Sequence, residues 1–362
     1  MPLTILNVAY PLTRVGPDAV GGSEQILTSL DTALAEAGHR SIVVACEGSS
    51  TAGELVATPK WDGDLDEGVR RWAQQQHYIA IRQALNEYPV DLIHMHGLDW
   101  HQYTPEPGIP LLATLHLPPD WYPDWIYEWD RPGTYLNCVS RAQLAAAPVA
   151  TVPVHVIENG VPISRLQSPV RKRNYVLALG RVCPEKGLHI ALDAAREAGL
   201  PMILSGEVYR YETHIEYFEQ QIKPRLNRQR KFTGPAGLAR KRRLMTGARC
   251  LLVPSLVAET SSLVTMEAFA CGTPVIAFGI GALPEIIEHG RTGFIVQDER
   301  EMVEAIRRVD ELDPEECRRV ARERFSAARM ARDYMSLYGR LLPRPQAASM
   351  PASPKPLPQP SK

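Results

Sequence analysis

A chain of 362 residues has room for two ordinary domains, and 44% hydrophobic with 22% charged residues describes a soluble globular protein. A net charge of -1 excludes a global electrostatic case for nucleic acid or an anionic membrane, and no window approaches the roughly 20 apolar residues of a membrane span. The six cysteines are widely spaced, with no CxxC and no Cys/His cluster, so they read as small buried residues in a reducing cytoplasm, with neither disulfides nor a metal expected.

The N-terminus has no basic leader and reads directly as an apolar strand over residues 3–9. A loop runs to Gly21-Gly22-Ser23, and a helix follows over about residues 24–37, with Ile26, Leu27, Leu30 and Leu34 at helical spacing. Residues 42–45 are the second strand of this doubly wound unit, which lacks the GxGxxG fingerprint and so disfavours a nicotinamide enzyme. Gly21 and Gly22 either satisfy a tight turn or let a phosphate or sugar approach the backbone closely. Beyond a polar stretch, a helix over about residues 68–86 precedes strands at 91–95 and 110–115. His96 and His116 then fall at C-terminal strand ends, the edge on which open α/β sheets gather ligands, while His94 alternates to the other side as packing. Residues 118–131 carry Trp121, Tyr122, Trp125, Tyr127 and Trp129, either flat faces for sugars or anchors for the loop itself. Strands at 135–140 and 154–158 lead to the Asn159-Gly160-Val161 turn, and residues 162–173 are polar and irregular, a linker.

A second alternation starts at Asn174, with strands at 175–179, 201–205, 232–233, 250–253, 275–278 and 294–296 and a helix over about 188–198. Two α/β halves joined by a linker imply a cleft, where ligands commonly bind. Gly180, Arg181 and Lys186 follow the first strand of this half, and the two cations suit a diphosphate, arginine as a planar fork and lysine as a point charge. Nine basic residues lie between Lys223 and Arg243; without a nucleic-acid motif they read as a solvated helix face, so no nucleic acid is expected. The Pro/Ser/Ala-rich residues 342–362 are too poor in apolar residues to fold.

The most informative stretch is 253–278. Its strand ends at Pro254, a polar loop follows, and a helix begins near Ser262, Leu263 and Val264, whose free N–H groups and dipole favour an anion. Glu259 precedes that helix start and Glu267 lies in its second turn. Ionised carboxylates accept hydrogen bonds from sugar hydroxyls, so an anion site flanked by two of them suits a phosphate between two polyols, a nucleotide sugar. The plainer alternative makes Glu259 a loop charge and Glu267 a solvated helix residue.

With GGSE at Gly21, TLH at His116, ENGV at Asn159, GRVCPEKG at Gly180, the Glu259/Glu267 stretch and GALPEIIEHGRTGF at Gly281, the chain over about residues 3–341 resembles the family 4 glycosyltransferases of GT-B fold. The resemblance implies an α/β protein of two facing Rossmann-like doubly wound domains. An acceptor-binding domain would span 1–165, a nucleotide-sugar-binding domain 166–329, and a helix at 330–341 would cross back to the first. It implies a retaining, metal-independent hexosyl transfer from a nucleotide-diphosphate sugar to a small-molecule, glycan or lipid-linked acceptor. No cofactor is implied, and peripheral membrane contact is compatible with the chain. Carried over, Arg181 and Lys186 meet the diphosphate, Glu259 the transferred sugar and Glu267 the ribose hydroxyls. Leu263 and Val264 supply helix-start amides, Gly21 and Gly22 meet the phosphates on closure, and His116 lies beside the donor sugar; Ser262, His96 and Gly180 join the substrate-binding set by their positions at the helix start and strand ends. Glu285 in the ALPE turn reads as structural. Family members often carry Glu-Pro-Phe-Gly where this chain has Glu259-Thr260-Ser261-Ser262, so the donor sugar does not carry over. The alternatives are a sugar-phosphate synthase or phosphorylase of the same fold, or a non-catalytic sugar- or nucleic-acid-binding module.

Overall fold

Residues 2–19 and 21–342 are described by the computed structural model; the tail expected to be disordered lies, from residue 343 on, outside the described residues. The first sheet comprises β1 (Thr4–Val8), β2 (Arg40–Cys46), β3 (Glu54–Thr58), β4 (Leu92–Met95), β5 (Leu111–Leu115), β6 (Thr134–Cys138) and β7 (Val154–Val156), in the order β3-β2-β1-β4-β5-β6-β7. The second comprises β8 (Val176–Leu179), β9 (Met202–Ser205), β10 (Arg230–Phe232), β11 (Leu251–Val253), β12 (Val275–Phe278) and β13 (Gly293–Val296), in the order β10-β9-β8-β11-β12-β13. Neighbouring strands pair in parallel in both sheets. Helices cover both faces, so central strands such as β4, β5 and β12 are buried throughout and consist of near-continuous apolar runs.

Each sheet reverses its winding once. The chain steps outward from β1 to β3, then returns to place β4 beside β1; it repeats the step from β8 to β10 and returns with β11 beside β8. Each reversal leaves two adjacent strand ends whose loops diverge, and that crevice is where α/β sheets bind ligands.

Three elements differ from the sequence expectation. Strand β3 occupies the polar stretch left unassigned; as a half-exposed edge it carries no apolar run, and Asp31 fixes its approach by accepting from the N–H groups of Ala52 and Gly53 at 2.7 and 3.1 Å. A short helix, Arg141–Ala146, is capped by Ser140, which accepts from Gln143 N. The expected irregular linker contains the helical turn Ile163–Leu166, and Leu166 is wholly buried among the residues that pack the second sheet.

The chain crosses between the halves twice, side by side. Val161 N donates to Phe325 O at 2.8 Å and Ala327 N donates to Val161 O at 2.9 Å. Gly160 is held so closely that a Cβ there would lie 2.6 Å from Ser326 O. Ser326 caps the closing helix, Ala327–Leu341, which packs against Gly22–Glu36 of the first half. Its buried stripe of Met330, Tyr334, Leu337, Tyr338 and Leu341 follows helical periodicity. Two tyrosine hydroxyls in that stripe find partners inside the first half. Tyr338 Oη lies 2.7 Å from His94 Nδ1, and Tyr334 Oη lies 3.1 Å from Thr114 Oγ1 and accepts from Asn137 Nδ2 at 3.0 Å. Among the described residues no helix is long and apolar enough to cross a membrane.

Tyr338→Phe keeps the ring and strands a buried His94 nitrogen. We expect a loss of about 1–3 kcal/mol, read as a lower denaturant midpoint, with the first half's signals moving most.

Candidate active site

Both winding reversals point their loops into the cleft. In the second half, the loop after β8 carries Gly180, Arg181 and Lys186, and the loop after β11 carries Glu259 to Ser262. The two are stitched backbone to backbone: Leu256 N donates to Glu185 O at 2.7 Å, and Gly187, at φ 59°, leaves a Cβ only 2.1 Å from Pro254 O. The Lys186 ammonium thereby reaches Glu259, Nζ to Oε1 2.5 Å, while Ser255 Oγ donates to the same oxygen at 2.7 Å. Glu259 is held from behind as well. Its carbonyl accepts from Ala282 N at 2.8 Å, and a Cβ on Gly281 would lie 2.5 Å from its N and O. The GALPE stretch therefore fixes Glu259, and Glu285 reaches across the cleft to accept from Arg141 N at 3.1 Å. Arg181 stands exposed at the same turn.

The helix Leu263–Ala270 starts at Ser262, whose hydroxyl bonds Thr265 Oγ1 at 2.8 Å instead of capping the helix. The unshared amides of the first turn remain directed out of the helix end. Glu267 is only 4% exposed, which removes the solvated alternative, and it is paired with Lys241 of the helix Leu238–Gly247. Burial raises the Glu267 carboxyl above its ordinary range and the lysine opposes that rise. The basic stretch is thus only partly a solvated face: Lys241 turns inward, and Arg225 pairs with Asp193. Sequence reasoning missed Lys241. Its signal was position, since Leu238, Lys241 and Met245 share one helix face and its neighbours there are apolar.

The first half supplies the facing wall. Gly21 caps the helix Gly22–Glu36, and a Cβ on Gly22 would lie 3.5 Å from Leu263 Cδ1, so the glycine loop meets the helix start across the cleft. His116 follows β5; its Nε2 lies 3.4 Å from His96 Nδ1, and the two rings stack. His96 is buried beneath it against His94, whose nitrogens bond Tyr338 and Thr114, so His94 is packing as expected. His96 is therefore positioned to support His116 from below the surface. Burial lowers His116 to about 4, and lowers His94 and His96 well below their ordinary value. The aromatic stretch is divided in role: Tyr122 and Tyr127 are buried anchors, while Trp121 and Trp125 remain exposed. Tyr122 Oη accepts from the N–H groups of both His116 and Leu117, at 3.0 and 3.2 Å.

Among the described residues, Cys183, Glu185 and His214 bring ligand-type atoms within 4.8 Å of one another, a Cys/His grouping that sequence spacing did not show because His214 comes from a later helix. All six cysteines are free and buried.

Two family models match the chain, one described as Glycosyltransferase Family 4 over residues 20–165 and one as Glycosyl transferases group 1 over residues 173–311. The glycogen synthase of Mycobacterium tuberculosis is 24% identical over 353 residues, 81% of each chain. The solved structure of AviGT4, a glycosyltransferase involved in avilamycin A biosynthesis, is 25% identical with a TM-score of 0.71, covering 94% of this chain and 98% of its own. Alr3699/HepE of Anabaena, solved with UDP and glucose, shares the fold at 20% identity and a TM-score of 0.73, covering 93% of this chain and 99% of its own. Two parallel Rossmann-like sheets facing across a cleft define an enzyme of GT-B fold that transfers glycosyl groups. The chain belongs to the family 4 glycosyltransferases.

Lys241→Met leaves the Glu267 carboxylate buried without its cation, at an expected cost of about 3–5 kcal/mol in unfolding experiments. The double variant Lys241→Met/Glu267→Gln recovers most of that loss. A second expectation concerns acid. The unfolded chain protonates His94, His96 and His116 near 6.5, whereas folded His116 stays neutral to about 4 and burial holds the other two well below 6.5. Their contribution is complete above 6.5 and is lost as pH falls from there toward 4. Denaturant titrations at stepped pH show this fall, and His116→Asn makes it shallower.

Proposed function

We propose that the enzyme transfers a hexosyl-type group from a nucleotide-diphosphate sugar, with retention of configuration, to an acceptor hydroxyl held by the first half. The observation that carries this reading is the pair of lysine-held carboxylates, Glu259 with Lys186 and Glu267 with Lys241, on either side of one helix start. Glu267 then takes the ribose hydroxyls, the amides at Leu263 and Val264 take the phosphates, and Glu259 takes the hydroxyls of the transferred sugar. The complexes of Alr3699/HepE with UDP and with UDP-glucose support a nucleotide of this class.

The chemical demand is stabilisation of charge on the departing diphosphate. Lys186 engages Glu259 with one of its three donors, which leaves two for phosphate oxygens; Arg181 adds a second cation and the helix dipole a third contribution. These groups supply the charge stabilisation without a metal. A histidine lowered to about 4 is neutral at pH 7 and a weak base, so His116 acts as a hydrogen-bonding wall beside the sugar. The leaving phosphate is then the group that accepts the acceptor's proton. Contact between Gly22 and Leu263 closes the cleft over the donor and excludes water, favouring transfer over hydrolysis. Six buried free thiols suit the reducing cytoplasm proposed as its compartment.

Glu259→Gln tests the assignment. The variant should unfold at nearly the wild-type temperature and lose transfer by about 10²–10³-fold, the usual loss for one preorganised electrostatic group. Unchanged turnover would overturn the site. A thermal-shift series with UDP, GDP and ADP and their sugars identifies the donor base, since a specific ligand stabilises the folded chain by mass action.

A further inference from the structure

The loop after Glu259 departs from the family pattern at Thr260, and that residue makes a bond across the cleft. Thr260 Oγ1 donates to the carbonyl oxygen of His116 at 3.0 Å. Both ends of this bond are fixed by their own halves. On the donor side, Glu259 is locked by Lys186, Ser255, Gly281 and Ala282, so the residue after it has little freedom. On the facing side, the peptide before His116 is held by Tyr122 Oη, which is buried and accepts the His116 N–H. With its N–H taken by Tyr122 and its carbonyl by Thr260, the backbone that carries the His116 ring is tied at both ends. A proline at 260 has no side-chain donor for this bond.

We propose that Thr260 is a positioning residue, whose hydroxyl sets His116 over the donor sugar and fixes the register in which the two halves close. Its role in turnover rests on the donor-site reading above; the bond itself does not. Two other cross-cleft contacts differ in kind. Leu263 comes within 3.5 Å of where a Cβ on Gly22 would stand, an apolar approach, and Arg141 with Glu285 ties the ALPE turn. Thr260 alone among these acts on the residue that lines the transferred sugar. The geometry also accounts for the threonine itself: a β-branched side chain has few rotamers, so its hydroxyl is presented at small entropic cost.

The test uses the full chain and begins without ligand. Thr260→Val keeps the shape and removes the donor; Thr260→Ser restores the donor. In Thr260→Val, amide hydrogen exchange should rise at least tenfold at His116, Leu117 and 258–262 and stay unchanged in β4, β5 and β12. The His116 imidazole, followed by NMR, should titrate closer to the ordinary 6.5, because burial in the closed cleft is what lowers it. Thr260→Ser should match the wild type in both. Equal exchange and equal His116 titration in wild type and Thr260→Val would overturn the proposal. A second arm follows UDP release from UDP-glucose. Thr260→Val should lower kcat about tenfold while KM stays within about twofold, again rescued by serine. If UDP-glucose and the other sugar nucleotides neither bind nor react with the wild type, the donor reading falls, while the ligand-free arm still decides Thr260.

Discussion

The reversal of winding direction in each sheet is the constraint on which the site depends. Parallel strands joined by helices must cross over with one hand, so a sheet that grows first one way and then the other leaves adjacent strand ends with diverging loops. Here this happens at β1 and β4, and again at β8 and β11. The glycine loop and His96 come from the first reversal, and Lys186 and Glu259 from the second, with His116 one strand further along. The loops that make up the site lie far apart in sequence; the topology brings them to one cleft.

Within that cleft the charges are already matched. A carboxylate withdrawn from water is costly unless a cation and further hydrogen bonds compensate it. Glu267 is nearly sealed and has Lys241; Glu259 is partly open and has Lys186 with Ser255. The more buried pair is closed off by its own partners. The more open pair keeps spare hydrogen-bonding capacity. The difference in exposure thus separates a fixed anchor from a group with room for a further partner.

Legibility in the sequence followed physical exposure. Strands buried on both faces, such as β1, β4 and β12, announce themselves as apolar runs between turn residues. The edge strand β3 does not, because half of it faces solvent and its placement depends on Asp31, a residue on another element. The short helix after Ser140 and the turn at Ile163–Leu166 are too brief for periodicity to register. At the site, the glutamates, glycines and strand-end histidines were readable because their types and local positions already suggest a chemistry. Lys241 was masked by the run of basic residues around it: its place on the Leu238–Met245 face marked it as inward, but nothing local named its partner, a carboxylate 26 residues away. Thr260 was visible only as a departure, and its partner lies 144 residues distant.

The paired crossings at Val161 and Ser326 have a consequence for inheritance. Because the helix Ala327–Leu341 lays Tyr334 and Tyr338 against His94 and Thr114, the first half is assembled from stretches on either side of the donor half. A single splice that exchanged everything after residue 161 would bring in a foreign closing helix along with a foreign donor half. Its ring hydroxyls would then have to match a core they had not evolved beside. Exchange of the donor half alone requires two junctions, one at each crossing, and shuffling among relatives is correspondingly constrained.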